Sequence, residues 1–158
     1  MQSIQDTKYK IRDANQSDVF DLTLSVKQFC KEVPHPAWRK TDGSKIQETI
    51  SQLVDIPQGF VRVACYNDEI VGALIGVVSG MPINSFTFSQ EIMFWFEPEH
   101  RTGTTAHKLI DDYVSWSKEM QCDFARLSTL DELLGSRVGV LFKRKGFTPI
   151  ETAYVKEL

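Results

Sequence analysis

The stretch EIMFWFEPEHRTGTTAHKLI, residues 91–110, decides how the chain is read. It opens on an acidic residue, runs through bulky apolar side chains and breaks at Pro98. It then passes Arg101 and Gly103 before Thr104 and Thr105 lead into a helical pattern. A strand, a glycine-containing turn and a helix start, in that order, bring backbone N–H groups and the positive end of a helix dipole to one point. Such a point suits an anion, phosphate above all. Arg101 would add a fixed charge, Gly103 would let the backbone approach closely, and Thr104 and Thr105 would offer hydroxyls. An ordinary strand–helix turn capped by threonine accounts for the same residues, because a lone loop of this kind is a weak motif.

Outward from that unit, the periodicities alternate between helix and strand. YKIRDA (9–14) alternates like an edge strand. Val19, Leu22, Val26 and Phe29 then recur at helical spacing, with Ser17 available as an N-cap. Two prolines and a glycine make PHPAWRKTDG (34–43) an ordered loop. Ile46, Ile50, Leu53 and Val54 stripe a second helix over 44–55. FVRVACY (60–66) and IVGALIGVVS (70–79) read as strands joined by a tight hairpin, and 86–96 reads as a third. Ala106, Leu109, Tyr113, Trp116 and Met120 share one face of a helix over 104–120. A strand over 122–129, a helix over 136–145 stopped by Gly146, and a closing strand over 148–158 complete the chain. The order β-α-α-β-β-β-α-β-α-β predicts an α+β (mixed α/β) fold around one central sheet, with residues 1–158 forming a single domain.

The bulk composition narrows the partners. The 158 residues are 42% apolar and 25% charged, enough for one substantial core. A formal net charge of −3 supplies no basic stripe and argues against a nucleic-acid partner. There is no secretory h-region in the first twenty residues and no apolar run long enough to span a membrane. Cys30, Cys65 and Cys122 lie far apart without a C-x-x-C, as expected of reduced thiols in a cytoplasmic protein. His35, His100 and His107 do not sit with cysteines at metal-ligand spacing, so no metal is expected.

Two motifs carry a resemblance to a known family. Arg101-Thr102-Gly103-Thr104-Thr105-Ala106 is similar to Arg/Gln-x-x-Gly-x-Gly/Ala, the signature that follows the fourth strand of the GCN5-related N-acetyltransferases, the GNAT superfamily. Arg101 and Ala106 match; Thr104 stands where glycine is usual, and Gly103 lies one place early, as in small bacterial and phage members. LFKRKGF (141–147) resembles the late motif Leu-Tyr-x-x-x-Gly-Phe, and EPEHR resembles x-Pro-x-x-Arg. The resemblance covers roughly the whole chain and implies a mostly antiparallel sheet whose fourth and fifth strands splay apart.

It also implies a chemistry. The pantetheine arm of acetyl-CoA, the co-substrate, would lie in the splay and pair with backbone around Phe94, Trp95 and Phe96. The Trp95 amide would polarise the thioester carbonyl, and Arg101, Thr102, Gly103, Thr104, Thr105 and Ala106 would cradle the pyrophosphate. Ser136 and Phe142 fall in the late cofactor-binding region. An amine would attack directly in a ternary complex. Glu91 is the candidate base, because a carboxylate among apolar neighbours has its pKa raised by desolvation; a surface ion pair is the plainer reading of it. Phe142 replaces the family's late tyrosine, so Tyr154, Ser136 or water would reprotonate the thiolate. The loop holding His35, Trp38 and Arg39 would line the acceptor pocket. Glu32, Glu97, Asp131 and Glu132 would suit a cationic amine there, although scattered surface carboxylates explain them equally well.

The expected function is therefore a cytoplasmic N-acetyltransferase that acts on a primary amine of a small molecule or protein. Whether it forms a homodimer is left open. The alternative is a GNAT-fold protein that binds coenzyme or a protein partner without turnover, which Thr104 and Phe142 keep in play. The acidic balance counts against acetylation of tRNA.

Overall fold

The computed structural model describes residues 8–101, 103–130 and 135–158, with 135 and 136 described by their backbone alone. Apart from short 3-10 turns, the α-helices and strands among the described residues are, in chain order, β1 (Tyr9–Asp13), α1 (Val19–Glu32), α2 (Gly43–Asp55), β2 (Gly59–Tyr66), β3 (Glu69–Gly80), β4 (Thr87–Phe96), α3 (Thr105–Glu119), β5 (Phe124–Arg126) and α4 (Gly135–Arg144). The sheet order is β1-β2-β3-β4-β5. The first four strands pair antiparallel, and β5 joins β4 in parallel.

Local chemistry explains the ends of these elements. Asn67 and Asp68 both take positive φ, 50° and 67°, and form the two-residue turn between β2 and β3. That backbone matches the right-handed twist of paired strands, and Asn and Asp tolerate it well. α1 is entered differently from the expectation. The side chain of Asn15, not of Ser17, accepts the Ser17 amide at 2.9 Å, and the Asp18 carboxylate accepts the Asn15 amide at 2.9 Å. Arg12 grips both oxygens of Asp18, at 2.7 and 2.9 Å, and holds that carboxyl below its ordinary pKa. α2 starts at Asp42, whose side chain accepts from the amides of Ser44 and Lys45. α4 ends before Gly146, at φ 89°.

Each face of the sheet buries its own cluster. On one side Val19, Leu22, Ile50 and Leu53 of α1 and α2 pack on Val61, Val63, Ile75, Met93 and Trp95. On the other, Leu109, Ile110 and Tyr113 of α3 and Phe142 of α4 pack on Phe60, Leu74 and Phe96. Strands that are buried on both faces read as continuous apolar runs, as β3 does. One glycine in β3 is dictated by packing: a Cβ at Gly72 would lie 2.3 Å from the Phe96 ring.

The closing strand expected over 148–158 is absent. Residues 148–158 form no strand, and 151–158 are exposed throughout. The sheet's last strand, β5, is three residues long, and Pro149 lacks the N–H that a ladder needs. Side-chain ion pairs hold the tail instead, Arg126 with Glu151 and Lys40 with Glu157. Among the described residues, no helix is long and apolar enough to cross a membrane.

Candidate functional site

The irregularity that shapes the site lies in β4. Gly76 pairs with Glu91 and Ile75 with Met93, so Ile92 is an extra residue on β4. The bulge reverses which face the odd-numbered side chains take. Met93 and Trp95 join the α1–α2 cluster. Glu91 instead lies opposite Gly76, on the face where a Gly76 Cβ would touch the Tyr113 ring of α3. Without the bulge, strand alternation would send Glu91 to the same side as Trp95.

β4 and β5 pair only through Phe88–Phe124, Ser89–Ala125 and Gln90–Arg126. Beyond Gln90 and Arg126 the two strands share no further pair among the described residues, and a fork opens there. Glu91 sits at its root. Its Oε2 accepts the Ser128 amide at 3.2 Å, so one side chain bridges the two diverging strands. Only 8% of Glu91 is exposed. Burial pushes its pKa from 4.5 up to about 7, while hydrogen bonds from Ser128 and from the Phe94 amide pull it back down. α3 braces the root from below: the Tyr113 hydroxyl donates to the Arg126 carbonyl at 3.0 Å, and Ser89 meets Ser117 at 2.6 Å.

The far end of β4 leads into the turn. Gly103 takes φ 95°, a conformation that side chains with a Cβ rarely adopt, and open space lies where its Cβ would be. Thr104 is the N-cap of α3 but makes no side-chain capping hydrogen bond, and Thr105 is buried in the first turn. The first-turn amides of a helix have no partner within the helix. Ala106 packs partly buried against the α3-side core. The expectation at Thr102 lies outside the described residues, as do those at Asp131, Glu132 and the Ser136 side chain.

Arg101 is engaged by the protein itself. Its Nε donates to the Phe96 carbonyl at 2.8 Å and its Nη2 to Glu32 Oε1 at 2.6 Å. The Trp95 indole N–H donates to the same Glu32 oxygen at 2.9 Å. The Arg101 guanidinium also stands 5.9 Å from the Trp95 ring centre. Glu32 is the last residue of α1, so this cluster ties α1 to both the end of β4 and the start of the turn.

The remaining expected residues scatter. His35 Nδ1 accepts the Ala37 amide at 3.2 Å and caps the short 3-10 helix Pro36–Arg39. The Trp38 ring lies edge-on to His35 at 6.2 Å and is 45% exposed; Arg39 is exposed. Phe94 contacts Phe142 at 6.1 Å between ring centres, and Phe142 is buried in the α3–α4 core. Tyr154 is 94% exposed and has no hydrogen-bond or ring partner among the described residues. Two participants carried no local sequence signal for these roles: the Ser128 amide at the fork, and Glu32 as a shared acceptor.

No family model matches the chain, and no curated protein matches it. Solved structures do. A predicted acetyltransferase from Clostridium acetobutylicum, solved with acetyl-CoA, has TM-score 0.75 and 17% identity, with 94% of this chain and 96% of that one covered. A transcriptional regulator from Bacillus halodurans has TM-score 0.73 and 15% identity, with 95% and 99% covered. A GNAT family acetyltransferase from Staphylococcus aureus has TM-score 0.62 and 15% identity, with 96% and 99% covered. Identity this low speaks for shape alone, and the shape is shared over nearly the full length of each chain. The chain has the fold of the GCN5-related N-acetyltransferases, the GNAT superfamily.

Proposed function

We propose that residues 1–158 form one acetyl-CoA-dependent N-acetyltransferase domain that moves an acetyl group to a primary amine of a small molecule or protein. The observation that carries this reading is the fork between β4 and β5. A buried carboxylate of raised pKa sits at its root, and a positive-φ glycine turn runs into α3 beyond its open end. The similar fold of a protein solved with acetyl-CoA supports it.

The chain's own groups fit such a co-substrate. Phe94, Trp95 and Phe96 lie on β4 beyond its last pair with β5, so the fork can take an extended arm. Gly103, Thr104, Thr105 and Ala106 supply backbone amides and the N-terminal end of α3 to a pyrophosphate, next to the expected position of Thr102 in the sequence. Gly103 keeps the approach open because no Cβ fills it. Arg101 serves this cradle by anchoring its first residue to Phe96 and Glu32.

When bound, acetyl-CoA supplies a thioester carbonyl to the amine and leaves as a thiol. The residues of the chain manage charge and protons around that exchange. The Trp95 amide steadies negative charge on the acyl oxygen. Glu91 takes the amine proton through a water, since so little of its surface is open. With a pKa near 7 it is about half ionised at neutral pH, where a general base works best. A thiol of pKa about 8.5 is an acceptable leaving group, so Tyr154, Ser136 or water completes the proton balance without being obligatory. The loop with His35, Trp38 and Arg39 forms the outer acceptor side rather than contacting the reacting nitrogen, and the site works in the cytoplasm.

A screen of primary amines for thiol release from acetyl-CoA tests this. Steady release with at least one amine class, abolished when acetyl-CoA is omitted, is expected. Coenzyme binding with no release across the panel would leave the second reading, a GNAT-fold protein that binds coenzyme or a protein partner without turnover.

A further inference from the structure

Glu32 does something that neither fold nor chemistry requires of the last residue of a helix. Its single oxygen Oε1 accepts from the Trp95 indole at 2.9 Å and from Arg101 Nη2 at 2.6 Å. These two donors belong to different walls of the proposed coenzyme site. Trp95 is on the strand that would receive the pantetheine arm, and Arg101 begins the turn that would receive the pyrophosphate. Arg101 closes the circuit by donating Nε to the Phe96 carbonyl at 2.8 Å. Both Glu32 and Arg101 have only about a quarter of their side chains exposed, 25% and 23%, so the contact is partly shielded from solvent. A charge-assisted bond in such a setting is roughly twice as strong as a neutral one.

Position along the chain adds the second half of the argument. Glu32 ends α1, and Val33 immediately after it is buried. The next residues are the loop with His35, Trp38 and Arg39. Any shift of the turn or of Trp95 is therefore felt at the start of that loop. The three side chains are separated by 63 and 69 residues in sequence, and the contact is tertiary, not a local cap.

We propose that Glu32 is a positioning residue that holds both walls of the coenzyme site with one carboxylate oxygen and thereby couples coenzyme binding to the order of the 33–42 loop. This rests on the acetyltransferase reading given above. Glu32 touches neither the acyl group nor the amine; it acts through Trp95 and Arg101.

The test uses the full chain and coenzyme A itself as probe. Its Kd is measured by calorimetry, and amide hydrogen exchange over 33–42 is followed with and without saturating coenzyme A. In the unaltered protein coenzyme A binds and slows exchange over 33–42. Glu32→Ala raises the Kd by about tenfold, the usual size of a lost charge-assisted contact, and loses the protection of 33–42 even at saturation. Glu32→Gln keeps an oxygen for the Trp95 indole and restores part of both effects. Trp95→Phe removes that donor alone and keeps the ring, so the question is answered even if Glu32→Ala fails to fold. A simple loss of stability lowers the melting temperature without uncoupling the loop from saturating ligand. Unchanged Kd and unchanged protection in the Glu32 and Trp95 variants overturn the proposal while leaving the acetyltransferase reading intact. Absence of coenzyme binding in the unaltered protein overturns both.

Discussion

Replacing Glu91 with glutamine removes an ionisation that burial makes costly, and it should stabilise the protein and slow it in the same pH range. The magnitude follows from the site. A carboxyl that titrates near 4.5 in the unfolded chain and at about 7 in the fold carries about 3 kcal/mol of differential interaction. The folded chain keeps its proton up to about pH 7, while the unfolded chain gives it up near 4.5. Over that window the native state binds more protons, so this group's contribution is fully present at pH 4 and is lost as pH rises through 7. Glutamine has no such titration, and its side-chain oxygen can still accept the Ser128 amide that Glu91 Oε2 accepts at 3.2 Å. Urea unfolding of both proteins between pH 4 and pH 8 measures the difference. The variant should gain about 3 kcal/mol relative to the parent across that range, or on the order of 6–12 °C in Tm for a chain of this size. Catalysis should move the other way. The rate of the parent rises with pH to a plateau above about 7, whereas the variant loses that limb and about 10²–10⁴ in kcat, with coenzyme affinity retained. Stability curves that run parallel in pH would refute the buried-carboxylate account. An unchanged pH–rate profile would remove Glu91 as base.

Three further substitutions probe other parts. Gly103→Val forces a β-branched residue toward φ 95° in open space, so coenzyme Kd should rise about tenfold or more through backbone strain of about 1–3 kcal/mol; equal affinity by calorimetry contradicts the cradle. Gly72→Ala places a Cβ 2.3 Å from the Phe96 ring, which is itself buried, and should cost about 1–3 kcal/mol in urea unfolding; a stability matching the parent contradicts that packing. Tyr154→Phe should leave kcat within about twofold, because the side chain is 94% exposed and a thiolate leaves without an obligatory acid; a tenfold fall in steady-state rate would return Tyr154 to the catalytic machinery.

How much of this was legible in the sequence differs from element to element. The long periodic segments α1, α2 and α3 and the strands β2 to β4 stand close to where apolar spacing puts them, because burial of one face or both enforces a period. Asn67 and Asp68 announced their hairpin through turn chemistry. Ser17 did not become the cap because Asn15 and Asp18 form a reciprocal pair that Arg12 locks from β1. The closing strand failed because alternation in 148–158 has no adequate edge to pair with. At the site, the raised pKa of Glu91 was readable from its apolar neighbours, but the face it occupies was not. That depends on the bulge at Ile92, which exists only in the pairing of β4 with β3. The sequence suggested that Arg101 is a free charge for phosphate, and only the fold shows Glu32 already paired with it.

Amide shifts in a nitrogen-labelled sample titrated with acetyl-CoA test the central claim most directly. The account predicts saturable shifts concentrated at residues 94–96 and 103–106, along the open edge of β4 and the entry of α3, with smaller ones at 33–42 and little change at the paired stretch 88–90. Shifts that are absent at millimolar acetyl-CoA, or that gather instead at the groove between α2 and α3 around Arg62 and Trp116, would contradict it.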